Sequence, residues 1–245
     1  MLSVLPGSLF SRIRIFRGRL KPHALPVARK HIVLASIGAG TGLAVTSLFS
    51  HWLLGEVNIW FIAPMGASAV LLFGVPSSPL AQPWSIVGGN VLSALIGVTV
   101  GIAIPNLALA CGVAAGLAIA GMYFLRCLHP PGGAVALTAI LGGAGIQSEG
   151  YHFVLTPVLL NSLMLAMLAI VFNNLVGRRY PHPLAAEEVK AKAEAVPLGI
   201  SVTREDIHAA LLDGQFLDID EDDVQELLEN IEQKARQRIA SAQRS

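Results

Sequence analysis

The sequence predicts an all-α protein, a polytopic membrane helix bundle of four long transmembrane helices and two short broken or re-entrant helices in a pseudo-duplicated arrangement. Three observations predict it. The chain is 53% hydrophobic and 13% charged over 245 residues, against about 25% charge in soluble domains. Between His31 and Gly177 only Glu56, Arg126 and Glu149 carry a formal charge. The apolar stretches also fall into two lengths, one that matches a bilayer and one that is too short for it.

Residues 1–30 form a basic arm: all seven charges before His31 are Arg or Lys. Pro6, Gly7 and Pro22 interrupt it, so it lacks the apolar run of a cleavable signal and is expected to stay on the cytoplasmic side. The membrane domain is expected over 31–180. His31 to Leu54 opens it with a largely apolar stretch of 24 residues, about 36 Å as a helix, against a hydrocarbon core of about 30 Å. Trp84 to Ile104, Leu107 to Cys127 and Phe153 to Val176 are the other long spans.

Between them lie Phe61 to Val75 and Pro130 to Gly143, apolar but short. Backbone that breaks at membrane depth is tolerated only where protein or a water-filled cavity satisfies its polar groups. The order long, short, long therefore occurs twice. Pro64-Met65-Gly66-Ala67-Ser68-Ala69 aligns with Pro131-Gly132-Gly133-Ala134-Val135-Ala136, and Asn90 aligns with Asn161 in the spans that follow. If each short element crosses, the repeats have three segments and are inverted; if each re-enters, they have two and are parallel. Both arrangements put the termini on one side. They differ over Arg126, which lies inside for six crossings and outside for four.

The basic arm and Arg178-Arg179 favour a cytoplasmic location for both termini, in the plasma (inner) membrane of a bacterium. Small residues recur four apart at Gly38 and Gly42, at Gly89, Ser93, Gly97 and Gly101, and at Gly112 and Gly116. Close packing within the chain is their expected use, and a homo-oligomer stays open. Cys111 and Cys127 lack partners at ligand spacing and are expected to be packed thiols.

Residues 181–245 form a soluble tail with fourteen acidic against seven basic side chains. Thr203 with Asp206 resembles a helix cap, and Val224, Leu227, Leu228 and Ile231 repeat at helical spacing, which predicts a face buried against a neighbouring helix or a partner. Asp218, Asp220, Asp222 and Glu229 imitate a calcium loop, but Asp223 replaces its turn glycine.

The segments with chemistry are the starts of the two short helices. His129-Pro130-Pro131-Gly132-Gly133-Ala134 sets an imidazole before a helix start within the membrane domain, and Pro64, Gly66, Ala67 and Ser68 repeat the arrangement. A helix start has free N–H groups and a positive dipole end, so it can hold an anion without a buried full charge. Glycine admits a ligand to the backbone, and Ser68 and Thr138 add hydroxyls. Asn90 and Asn161 need polar partners in lipid and are expected to bridge helices or touch substrate. Against this stands a plain reading, in which the Pro-Gly elements shape helix crossings and His129 caps a carbonyl. No nucleophile elbow, phosphate loop or metal-spaced cluster is visible, so neither enzymatic chemistry nor a cofactor is expected, and nothing points to nucleic acid.

At His129-Pro130-Pro131 the sequence resembles the HPP family of membrane proteins. The likeness extends through Phe61 to Phe73, Gln82-Pro83-Trp84 and Gly88-Gly89-Asn90, covering roughly residues 25 to 180. It implies a membrane domain usually described with four transmembrane helices, and in some members an association with nitrite transport. Other members carry a pair of nucleotide-sensing CBS domains after the membrane part. Thr203-Arg204-Glu205-Asp206 and Leu217-Asp218-Ile219-Asp220 look like the segment preceding them, and this chain reaches Ser245 without that pair. The expectation is a permease for a small inorganic anion, nitrite first. Its rivals are a non-transporting scaffold or sensor that recruits a cytoplasmic partner through the tail, and cation or proton-coupled transport through His129 with Glu149 or Glu56 assisting.

Overall fold

The computed structural model describes residues 28–54 and 63–182. The basic arm before residue 28, Glu56, and the tail beyond residue 182, with its cap-like and calcium-like motifs, lie outside the described residues. The elements are α1 (Arg29–Leu54), α2 (Pro64–Ala69, continued by a wider π-helical turn, Val70–Gly74), a single 3-10 turn (Pro79–Ala81), α3 (Pro83–Ala103), α4 (Leu107–Phe124), α5 (Pro130–Leu141), α6 (Gly143–Glu149), and α7 (Leu160–Leu175, entered through a π-helical turn, Val154–Leu159). There is no strand among the described residues. Four helices are long and apolar enough to cross a membrane, and Pro64–Gly74 and Pro130–Leu141 are shorter apolar ones.

Local chemistry sets the boundaries. α2, α3 and α5 each begin with proline in the first turn, where the missing N–H has no helical partner to lose. Asn106 caps α4, its side chain accepting from Leu109 N at 3.0 Å. The corner after α4 carries Arg126 at φ 54°, and α6 lies between Gly143 (φ 82°) and Gly150 (φ 51°), left-handed positions that glycine adopts without strain. Pro157 has no N–H to give and falls within the π-helical turn that leads into α7.

The direction of each segment follows from which ends meet. Arg178 Nη2 donates to His31 O at 3.3 Å, joining the end of α7 to the start of α1. We refer to this end as the terminal face. The last turn of α2 is there too, because Arg178 Nη1 donates to Phe73 O at 2.9 Å and Asn173 Nδ2 to Leu72 O at 3.0 Å. Tyr180 Oη donates to Ala81 O at 2.6 Å and His182 N to Gln82 Oε1 at 2.8 Å, which places the 75–82 connector and the start of α3 on the same face. Trp84 Nε1 donates to Leu125 O at 3.1 Å, so α4 ends there. At the opposite, far face, Thr99 near the end of α3 meets Tyr151 just before α7 at 3.2 Å.

α5 runs alongside α3 in the same direction. A Cβ on Gly89 would lie 2.7 Å from His129 Cβ, one on Gly97 2.5 Å from Ala136 O, and one on Gly101 3.4 Å from Ile140 Cγ1. The six segments thus alternate, and each short helix completes a passage. Three segments per repeat make the second repeat inverted relative to the first. Burial agrees position by position. Ala63 and Pro130 are exposed, Pro64-Met65 and Pro131-Gly132 buried, Gly66 and Gly133 half-buried, Ala67 and Ala134 exposed, and Ser68-Ala69 and Val135-Ala136 buried.

Small residues are used for close packing, as expected, at most of these positions. Cβ atoms on Gly38 and Gly42 would reach the Phe73 ring at 2.5 and 2.7 Å, whereas Gly112 and Gly116 of α4 face open space. Cys111 and Cys127 are free thiols. Around α2, α3, α5 and α7 the core is built from Met65, Leu72, Phe73, Ile86, Val135 and Leu165.

Six passages fix the side of every connector. Single cysteines at Ser78, Arg126 and His182 are expected to react with a membrane-impermeant thiol reagent from one side of oriented vesicles, and cysteines at Asn106 and Ser148 from the other. Ser78 and Arg126 reacting from the side opposite His182 would sink the inverted arrangement in favour of four crossings.

Candidate functional site

His129, the residue before α5, is fully buried and both of its ring nitrogens are engaged. Nδ1 lies 2.9 Å from Leu80 O and Nε2 lies 2.8 Å from Ser68 Oγ. A carbonyl can only accept, so Nδ1 carries the hydrogen; in the neutral ring Nε2 then accepts from the Ser68 hydroxyl. One imidazole thereby ties the start of α5 to the 3-10 turn and to the second turn of α2, across the two repeats.

Prolines at the first two positions of α5 have no N–H, and Gly132 N donates to His129 O at 2.8 Å. The end therefore offers its dipole, while the first backbone donors that the sequence suggested would be free are absent or spent. At α2, Gly66 N donates to Ala63 O at 3.0 Å in the same way.

The two glycines of α5 differ. A Cβ on Gly132 would lie 2.7 Å from Ser93 Oγ, 3.0 Å from Met122 Sδ and 3.1 Å from Gly89 O, so this residue lets α5 press against α3 and α4. Gly133 has nothing within 4 Å, and neither has Gly66, its counterpart in the first repeat. With exposed Ala67 and Ala134 beside them, these glycines form the accessible backbone of the short helices. Thr138 donates to Ala134 O of its own helix at 2.7 Å, a local bond that aims its hydroxyl back along α5.

Asn90 and Asn161 are fully buried and bridge helices. Asn90 Nδ2 donates to Ser162 Oγ at 3.1 Å, joining α3 to α7, and Ser50 of α1 donates to Asn161 Oδ1, joining α1 to α7. Asn90 Oδ1 is buried with no hydrogen-bond partner. Ser50 and Ser162 were not marked by the sequence reading; a hydroxyl on an apolar helix has no pattern that identifies its partner.

The free carbonyls at the other ends of the short helices are also met by side chains. Phe73 O accepts from Arg178, and Ile140 O, its equivalent in α5, accepts from Gln147 Nε2 at 2.7 Å. Arg178, which the sequence marks only as a sign of the cytoplasmic side, is 6% exposed. Burial raises the Tyr180 phenol far above its ordinary range, which keeps it an O–H donor to Ala81.

A profile of the HPP transmembrane region matches residues 25–181. Two transmembrane proteins of Dictyostelium discoideum are similar. One is 41% identical over 148 residues, covering 58% of this chain and 51% of that protein. The other is 37% identical over 146 residues, covering 57% and 47%. The chain spans about half the length of these curated relatives. No solved structure matches it.

The packing separates two adjacent glycines experimentally. Gly132→Ala is expected to cost about 1–3 kcal/mol through overpacking, and Gly133→Ala or Gly66→Ala less than about 0.5 kcal/mol in either direction, as at unpacked positions. Thermal unfolding in detergent checks this; equal losses at 132 and 133 would contradict the packing described.

Proposed function

Because the chain belongs to the HPP family of integral membrane proteins, we propose that its membrane domain is a permease for a small inorganic anion, nitrite first. The observation that carries the reading is the inverted pair of three-segment repeats, each containing a half-length helix that begins inside the domain. Inverted repeats with broken helices are the architecture in which a central site is exposed to one side and then the other.

The anion would approach the helix starts along the open faces of Gly66-Ala67 and Gly133-Ala134, where no side chain stands between it and the backbone. The positive dipole ends would favour it, and the near absence of charge between residues 31 and 177 leaves no buried carboxylate to repel it. Under this reading His129 is a positioning residue that holds the start of α5. The reading includes no chemical step, no cofactor and no role for nucleic acid. Arg29, Lys30, Arg126, Arg178 and Arg179 fall at helix ends on the terminal face, and under the positive-inside rule this supports a cytoplasmic location for that face.

Uptake into proteoliposomes tests the proposal, with nitrite as the tracer and nitrate, formate and chloride as competitors. Wild type is expected to take up nitrite. Gly133→Leu, whose Cβ would meet nothing within 4 Å, is expected to abolish uptake while unfolding at the wild-type temperature. His129→Ala is expected to lower both uptake and stability, as loss of a clasp would. No uptake of any anion under either membrane polarity would overturn the permease reading and favour a scaffold acting through the tail.

A further inference from the structure

The two repeats share an order of elements and differ in how their ends are packed. Pairing Asn90 with Asn161 and Pro64 with Pro131, and carrying those offsets along each helix, sets Gly101 opposite Phe172 and Ile140 opposite Phe73. The contacts agree with the pairing. Gly101 sits beside Ile140 on the far-face side, and the rings of Phe73 and Phe172 meet edge-on toward the terminal face, with centroids 5.6 Å apart and planes at 78°. One crossing holds two aromatic rings, which with Gly38, Gly42 and Leu175 line an apolar cavity of about 160 Å³; its equivalent has an isoleucine against a glycine.

Around Gly101 and Ile140 there is a cavity of about 280 Å³, also lined by Val98, Leu107, Ala139 and Gln147. Val98 and Ala139 also belong to the core cluster that holds Met65 of α2 and Val135 of α5, so the inner wall of the cavity is part of the core around the short helices. The same offset places Arg178 where Leu107 lines this cavity. At the terminal face that position is filled, because Arg178 is buried and holds Phe73 O and His31 O. The connectors differ in the same sense. Pro76, Ser77 and Ala81 are buried beneath the strand of chain that carries Tyr180, whereas 142–150 are exposed or half-buried.

We propose that the cavity is the far-face mouth of the anion path, and that the structure stands open at the far face and closed at the terminal face by the Phe73–Phe172 pair with Arg178 and Tyr180 as its latch. The inference rests on the permease reading and adds to it the state observed and the residues that hold it. In inverted repeats, the opposite-facing state is reached when each repeat adopts the packing of the other. The rings at the terminal face would then part while the Gly101–Ile140 crossing closes.

Accessibility of an equivalent pair of buried positions tests this without any transported ion. In a chain with Cys111 and Cys127 changed to alanine, Val98→Cys lines the cavity and Ala169→Cys occupies the matching place behind the Phe73–Phe172 pair. A membrane-impermeant thiol reagent is expected to modify Val98→Cys from the far face and to leave Ala169→Cys protected. Adding Tyr180→Phe or Arg178→Gln is expected to raise the Ala169→Cys rate from the terminal face several-fold and to lower the Val98→Cys rate. Gly101→Phe supplies the far face with the missing ring and is expected to produce the same reciprocal change without touching the latch. Rates that stay unchanged in all three variants, or rise together at both positions, would overturn the proposal. Nitrite uptake without reciprocity would overturn this inference alone, and reciprocity without uptake of any anion would overturn the substrate alone.

Discussion

Two helices that start inside the membrane domain leave backbone groups unpaired at their starts and at their ends, and each such group costs several kcal/mol if it is shielded from water and finds no partner. The rest of the molecule is organised around meeting that demand. At the starts, proline removes donors from the first turn of both helices, and Gly132 and Gly66 turn theirs inward to the carbonyls three residues back. At the ends, Arg178 and Asn173 answer the carbonyls of Phe73 and Leu72, and Gln147 answers Ile140. His129 completes the scheme by spending both ring nitrogens on Leu80 and Ser68. The His-Pro-Pro sequence is thus intelligible as one device, in which the imidazole anchors the helix start and the prolines remove the donors that would otherwise need partners.

The same pressure explains why the bundle is joined by neutral polar groups. Asn90, Asn161, Ser50 and Ser162 are all buried at helix crossings, where a charge would be far more expensive than an amide or hydroxyl. Their bonds connect α1, α3 and α7, the long helices that enclose the short ones. Asn90 keeps one unsatisfied acceptor. A buried oxygen of that kind is costly to retain, and Asn173 Oδ1 of α7 shares the condition.

The long helices, the short helices and their pairing were legible in the sequence because each rests on local information: apolar length, proline at a first turn, and a repeated order of residues. Chain direction was not, because it depends on contacts such as Arg178 with Phe73 and Trp84 with Leu125, which join residues far apart in the chain. Nor could the sequence separate Gly132 from Gly133. They are adjacent and identical, and only the helix phase decides that one presses against Ser93 while the other faces open space. His129 illustrates the same limit. A histidine before two prolines can ligate an anion or clasp its neighbours, and the partners its ring meets here, Leu80 and Ser68, lie 49 and 61 residues away.

Duplication with inversion also constrains what divergence between the repeats can mean. If both repeats packed identically, the two faces would be equivalent and neither would be preferred. Here one crossing holds a ring pair, a buried guanidinium and the smaller cavity, and its equivalent a glycine and the larger cavity. Such a difference acts on a two-state equilibrium in proportion to its free energy, about 1.4 kcal/mol for each factor of ten in population. A few contacts at one face are therefore enough to set which way the molecule stands at rest. Because the latch residues immediately precede the acidic tail in the chain, anything that binds the tail and pulls on Tyr180 or His182 would act on that same equilibrium.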